Sequence, residues 1–228
     1  MIRKGDPWER RGERAADVRV EGDDAALAAM VTQHLGALVD YAPTDGDLAR
    51  ALGLGGPRRG IEVSLDAIRW SGSSTAPASG PSTAPAFGGF AVNAIVVGSA
   101  PDRQRWITRS RAVVVRVDGR PWLERPVTGV LIANGQFLRG HDAVPRGHPG
   151  DGRLEVHAYC LPRRERSAMR RRLVSGTHVP HPGIETATGR TVTVRAPHAV
   201  ALEVDGRRLE RVRSLDLEIV ASAFRLRL

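Results

Sequence analysis

Val127-Thr-Gly-Val-Leu-Ile-Ala-Asn-Gly135 reads as a strand, Val127–Ala133, that runs into an Asn-Gly turn. Val, Leu and Ile suit a pleated, buried surface, and Asn-Gly tolerates the positive φ of a tight reversal. Toward the C-terminus the same signature repeats at Arg153–Tyr159, Thr191–Arg195, Ala199–Val204, Leu215–Val220 and Phe224–Leu228. Leu215, Leu217 and Ile219 alternate with Asp216 and Glu218, and Phe224, Leu226 and Leu228 alternate with Arg225 and Arg227. Toward the N-terminus it appears at Ala112–Val117, Phe90–Val97 and in the Ile61, Val63, Leu65 series. Short half-buried strands in this number predict a layered antiparallel sandwich. One helix, at about Pro162 to Leu173, interrupts them.

The first sixty residues have a different period. Residues 1–19 are charged and read as an irregular lead-in. Asp24 to Leu38 predicts a helix with Leu27, Val31 and Leu35 on its inner face and Asp23 or Asp24 as its cap. Asp45 to Leu54 predicts a second, shorter helix stopped by Gly53. The fold class is therefore α+β: a small helical N-terminal part, residues 1–58, before a larger β-sandwich, residues 59–228. Within the latter, Ser71 to Gly89 is almost wholly Ser, Thr, Ala, Pro and Gly, and predicts a disordered loop.

The 228 residues carry a net charge of +9, supplied almost entirely by arginine, with Lys4 the only lysine. Such a field favours anionic partners. No apolar run reaches the ~20 residues that a membrane-spanning helix needs. The charged N-terminus lacks the apolar centre of a signal peptide, and Cys160 has no second cysteine to pair with. The expectation is a cytoplasmic protein, with peripheral membrane attachment open to it.

Several short motifs carry chemistry. After the Asn134-Gly135 pair come Gly140, Pro145, Asp151-Gly-Arg-Leu154, Gly176-Thr-His178, His181-Pro182 and Val204-Asp-Gly206. In order and spacing this resembles the C-terminal domain of the soluble diacylglycerol kinase and sphingosine kinase superfamily of lipid kinases. Upstream, Glu21-Gly-Asp-Asp-Ala25 stands where that family has a Gly-Gly-Asp-Gly-Thr phosphate loop, and Thr44, Asp47, Ala49 and Arg50 match its Gly-Thr-x-Asn-Asp-Phe-Ala-Arg segment. The resemblance implies an ATP- and Mg-dependent lipid kinase lineage. Residues 1–58 become a small truncated α/β remnant of its nucleotide lobe, with roughly twenty residues before the loop.

By the same resemblance, Gly22, Asp23, Thr44, Asp47 and Arg50 lie at the nucleotide, Asp205 is the general base that receives the lipid hydroxyl proton, and Asp151 helps to hold a structural Mg²⁺. The residues alone leave alternatives open. Val204-Asp-Gly206 also reads as a hairpin turn, as does Val117-Asp-Gly119, and Asp151 as a Gly-rich turn entering a strand. Glu21 and Asp24 replace two glycines of the phosphate loop. At an effective dielectric of about 20, one like-charge pair ~4 Å apart costs on the order of 4 kcal/mol, roughly a thousandfold in affinity. That change predicts weak or lost phosphotransfer, an inherited cleft that binds a lipid or phosphorylated ligand, and, for an active kinase, a partner chain or second copy that completes the lobe.

Arg163, Arg164, Arg166, Arg170, Arg171 and Arg172 crowd one helix. They read either as a solvated face or as an anionic membrane surface for a non-enzymatic adaptor. With no recognition-helix pattern and few aromatics, nucleic acid is not expected as a partner. His178 and His181, separated by Val179-Pro180, lack a third ligand for zinc.

Overall fold

The computed structural model describes residues 9–11, 15–54, 61–74 and 87–227. Chain order begins with strands β1 (Glu9–Arg11) and β2 (Val18–Gly22), helix α1 (Asp24–Gln33), β3 (Leu38–Pro43) and helix α2 (Asp47–Ala51). Then come β4 (Ile61–Ser73), β5 (Phe87–Ala91), β6 (Ala94–Gly98), β7 (Arg111–Val117), β8 (Arg120–Val127), β9 (Gly129–Ala133), β10 (Phe137–Leu138), β11 (His141–Asp142) and β12 (Leu154–Tyr159). Helix α3 (Arg166–Leu173) precedes β13 (Ile184–Gly189), β14 (Thr191–Val200), β15 (Leu202–Val204), β16 (Arg207–Arg208) and β17 (Val212–Arg227).

Two sheets form the sandwich. One runs β8-β7-β14-β17-β4, with β5 on the distal half of β4; the other runs β13-β12-β9-β6-β15-β16. The alternation read from the sequence fills the space between them: Leu215, Leu217 and Ile219 of β17 meet Ile95, Val130, Ile132 and Val156 of the facing sheet. The second sheet is buried on its other face as well. There Val96, Leu131 and Tyr159 pack under Met169 and Leu173 of α3. A strand covered on both faces reads as a continuous apolar run, which is why β9 shows no alternation.

The long strands β4 and β17 continue out of the sandwich and carry the N-terminal part. The end of β17 pairs parallel with β3, which pairs parallel with β2, and α1 and α2 pack their Leu27, Val31 and Leu48 on Phe224, Leu226, Val63 and Leu65. The two β17 segments read from the sequence are thus one strand, bent by a bulge between Val220 and Phe224 where Ser222 has φ +52°. Asp66 of β4 pins this bend. Its carboxylate accepts the N–H of Ser222 at 2.8 Å and of Gly152 at 2.6 Å.

Several expectations need correction. Val127–Ala133 and Ala199–Val204 each change sheet partway: Val127 ends β8 and Gly129 opens β9, and Val200 ends β14 and Leu202 opens β15. Within the lead-in, Glu9–Arg11 pairs with β4 and β2 begins at Val18. Helix α1 stops at Gln33, not Leu38, because Gly36 turns to φ +84° and donates its N–H to Ala223; Leu35 is left 57% exposed instead of facing inward. Phe90–Val97 is not one strand: β5 and β6 lie in different sheets and are separated at Val92–Asn93. The Ser/Pro-rich stretch is shorter than Ser71 to Gly89 suggests, since β4 runs to Ser73 and pairs with β5 from Phe87. Residues 75–86, most of the lead-in and the boundary near residue 58 lie outside the described residues.

Candidate functional site

A cavity of about 260 Å³ lies where α1, α2, the β10–β11 hairpin and the β15–β16 hairpin converge. Five carboxylates line it, Asp23, Asp24, Asp45, Asp47 and Asp205, together with Arg50 and Arg139. Each acid is held by the chain that presents it.

Asp23 is the N-cap of α1: its Oδ1 accepts the Ala26 N–H at 2.9 Å and lies 3.3 Å from a guanidinium nitrogen of Arg207. Just before it, Gly22 has φ +143°, and a Cβ there would stand 2.7 Å from the Cβ of Ala26, so only glycine fits. The Gly22 carbonyl accepts from Thr44 N–H and from the Tyr41 hydroxyl, which fixes the start of α1 against the end of β3.

Asp24 opens α1 but reaches across to α2. Its carboxylate accepts the N–H of Asp47 at 2.9 Å and of Leu48 at 3.2 Å. These are the first N–H groups of α2, the donors that would otherwise face an anion. Asp24 is buried, and burial together with Asp205 and Asp47 pushes its pKa up to about 7 against the backbone donors that lower it. A Cβ on Gly46 would collide with this carboxylate, so the glycine beside it is a packing requirement.

Asp47 points the other way, to the β10–β11 hairpin, where its two oxygens accept the N–H groups of Arg139 and Gly140. Arg139 adopts φ +50°, and its guanidinium pairs with Asp102 and Glu203. Burial alone would raise the pKa of Asp102, but that guanidinium outweighs it and the shift is downward. Among the described residues Arg50 has no ion-pair partner, and its guanidinium lies against Gly140.

Asp205 sits in a hairpin in which it and Gly206 have φ of +43° and +79°, the two positive values of a type I′ turn. The turn reading of Val204-Asp-Gly206 is therefore correct for the backbone. The side chain does something further: it turns inward and accepts the N–H groups of Val92 (2.8 Å), Asn93 (3.0 Å) and Ala94 (2.9 Å). Burial pushes its pKa up to about 6 against these three donors. At the other hairpin, Asp118 binds Arg190 and Thr191 N–H groups on the exposed surface.

The structure thus gathers Asp23, Asp47, Arg50 and Asp205 around one cavity, with Gly22 behind it and Thr44 in an adjoining hollow with Asp45 and Gly53. Asp151 is elsewhere. It closes its own loop by accepting the Arg153 N–H at 3.0 Å and lines a separate groove of about 1320 Å³ with Glu155, His157 and His181. His157 in that groove is pushed down to about 4 by burial and by His178, whose ring centre is 6.4 Å away. Among the described residues no group of three or more His, Cys, Asp or Glu side chains is placed to hold a metal ion. The carboxylates of Asp24, Asp47 and Asp205 each accept backbone donors.

Of the arginines expected on one helix, Arg163 and Arg164 lie in the turn before α3 and, like Arg171 and Arg172 within it, are exposed, while Arg170 is half-buried. Arg166 is buried and bonds to backbone carbonyls. Sequence reasoning passed over Arg139, Asn93 and Glu203, whose partners lie 37 to 100 residues away in the chain. No local pattern announces such contacts.

Residues 104–226, more than half of the chain, match the family described as the YegS C-terminal NAD kinase beta sandwich-like domain. The chain belongs to this family. In fold it is similar to a putative diacylglycerol kinase from Bacillus anthracis strain Sterne, at 14% identity and a TM-score of 0.66 over 92% of this chain and 78% of that one. A second structure of a putative diacylglycerol kinase from the same organism gives 13% and 0.66, covering 92% and 77%. The yeast NADH kinase complexed with NADH is similar at 10% identity and a TM-score of 0.56, over 92% of this chain and 61% of that one. No curated protein matches the chain in sequence. The likeness to diacylglycerol kinase structures is the one the motif order led us to expect; the likeness to the yeast NADH kinase was not among those expectations.

Proposed function

We propose that this is a diacylglycerol-kinase-like protein that has lost ATP-dependent phosphotransfer and uses its acidic cavity to bind the hydroxyl-bearing headgroup of a lipid. The position of Asp24 carries the reading. A phosphate approaching α2 finds its N–H donors already bonded to a carboxylate, with Asp47 and Asp205 close enough to raise the pKa of that carboxylate. Transferring phosphate groups need free donors and cations at this place. Carboxylates that repel phosphate instead accept hydrogen bonds from hydroxyls. The size agrees: 260 Å³ lies below the ~300–1,000 Å³ of typical small-molecule pockets and suits a headgroup better than a nucleotide.

The test is titration calorimetry of the full chain with Mg-ATP. The expected result is no saturable binding below about 1 mM, since a repulsion of roughly 4 kcal/mol moves a micromolar site into the millimolar range. Micromolar binding would overturn the reading. A second reading, an active lipid kinase with Asp205 as base, is favoured by one observation: Asp205 lines the cavity with a pKa raised to about 6. It requires labelled phosphate to pass from ATP to a lipid extract, and that transfer to cease in Asp205→Asn.

A further inference from the structure

We infer that the segment Arg103–Arg111, with the β15–β16 region beside it, is a docking face for an anionic lipid bilayer. Among the described residues five large apolar side chains are exposed, and three of them belong to these two segments: Trp106 at 61%, Ile107 at 77% and Leu209 at 39%. Ile107 and Leu209 line a common hollow of about 520 Å³. Arginines surround them: Arg103, Arg109, Arg111, Arg208 and Arg211 line the same hollow. Its one acid, Glu203, is already paired with Arg103 and Arg139. Ile107 and Leu209 among these arginines, with exposed Trp106 next to Ile107 in the chain, match the boundary between acyl chains and acidic headgroups in both polarity and charge.

The loop is also built to hold these apolar tips outward. Buried Arg166 donates to the carbonyls of Thr108 (2.6 Å), Arg105 (3.1 Å) and Trp106 (3.4 Å), and through Nε to Leu161 (3.2 Å). Thr108 Oγ1 accepts the Arg105 N–H at 2.8 Å, closing a tight turn. With the backbone fixed from below, exposing Trp106 and Ile107 costs little further ordering when they enter a membrane. The arginine cluster of α3 thus divides: Arg166 supports the loop, and the charge that meets lipid comes mainly from residues 103–111 and 208–211.

This face goes beyond the reading of the acidic cavity, with which it shares no lining residue, and its test has a separate readout. The full chain is sedimented with phosphatidylcholine vesicles, with and without phosphatidylglycerol, at low and high salt. Binding is expected only to the anionic vesicles, and to weaken with salt. W106S/I107S is expected to lower affinity at least about tenfold, and R109A/R111A about thirtyfold. Asp118→Asn, in the exposed β7–β8 hairpin away from both the docking face and the acidic cavity, is expected to bind vesicles as the parent does. Equal binding to neutral vesicles, undiminished binding by W106S/I107S, or binding to single-stranded DNA without binding to anionic vesicles would each overturn the inference.

Discussion

Asp205→Ala is expected to destabilise the protein by about 3–5 kcal/mol, whatever it does to any activity. The substitution leaves three backbone N–H groups, those of Val92, Asn93 and Ala94, without their acceptor. A buried donor stripped of its partner costs roughly 1–3 kcal/mol. These three belong to the segment that carries the chain from one sheet to the other, between β5 and β6, and their residues are buried. Alanine also tolerates a φ of +43° less well than Asp does. The fold supplies its own control in Asp118, whose backbone is the same two-residue turn and whose carboxylate is solvent-facing. Asp118→Ala is expected to cost about 1 kcal/mol. Urea unfolding of both variants measures the difference. If the two losses are equal, Asp205 does not staple the sandwich.

That pair of aspartates also shows where sequence reasoning stops. Asp118-Gly119 and Asp205-Gly206 are the same dipeptide between alternating strands, and both form the turn that the dipeptide predicts. Local chemistry says nothing about which carboxylate turns inward. The family motif picked out Asp205, and the geometry explains its value to the fold: it satisfies backbone groups 111 to 113 residues away. The sandwich was legible for a related reason. Period-two alternation is written in contiguous residues, so Leu215, Leu217 and Ile219 could be assigned to the core from sequence. Helix α1 was overextended because Leu35 continued its apolar period, while the hydrogen bond from Gly36 to Ala223 that ends it comes from the far end of the chain. In the same way Asp24 was legible as a charge replacing a glycine, and as a cap for its own helix. Its bonds to the start of α2 were not, because they depend on how two short helices meet on β3 and β17.

Asp24→Asn is expected to stabilise the protein at alkaline pH and to leave it nearly unchanged in acid. The sign follows from the direction of the shift. The folded state raises the pKa of Asp24 from 3.8 to about 7, and that of Asp205 from 3.8 to about 6, chiefly through burial. The native protein therefore holds protons that the unfolded chain has released. The contribution of these groups to stability is complete below about pH 4, declines as pH rises through 6 and 7, and is absent at pH 8. Asparagine imitates the protonated acid at every pH, and its Oδ1 can still accept from Asp47 and Leu48. A shift of roughly three units corresponds to about 4 kcal/mol at most. The expected gain is thus about 2–4 kcal/mol at pH 8, or ~5–10 °C in Tm for a chain of this size. Asp24→Ala separates charge from hydrogen bonding, since it removes both and is expected to lose stability even at pH 4, near the unfolded pKa, where the charge contributes little. Thermal unfolding of the three proteins across pH 4 to 8 reads both effects. If Asp24→Asn gains nothing at pH 8, burial, Asp205 and Asp47 do not disfavour the charge on Asp24, and the electrostatic barrier to nucleotide phosphate falls as well. If it gains as expected, the cavity retains its charge against the stability of the fold, as a side chain kept for binding does rather than one kept for packing.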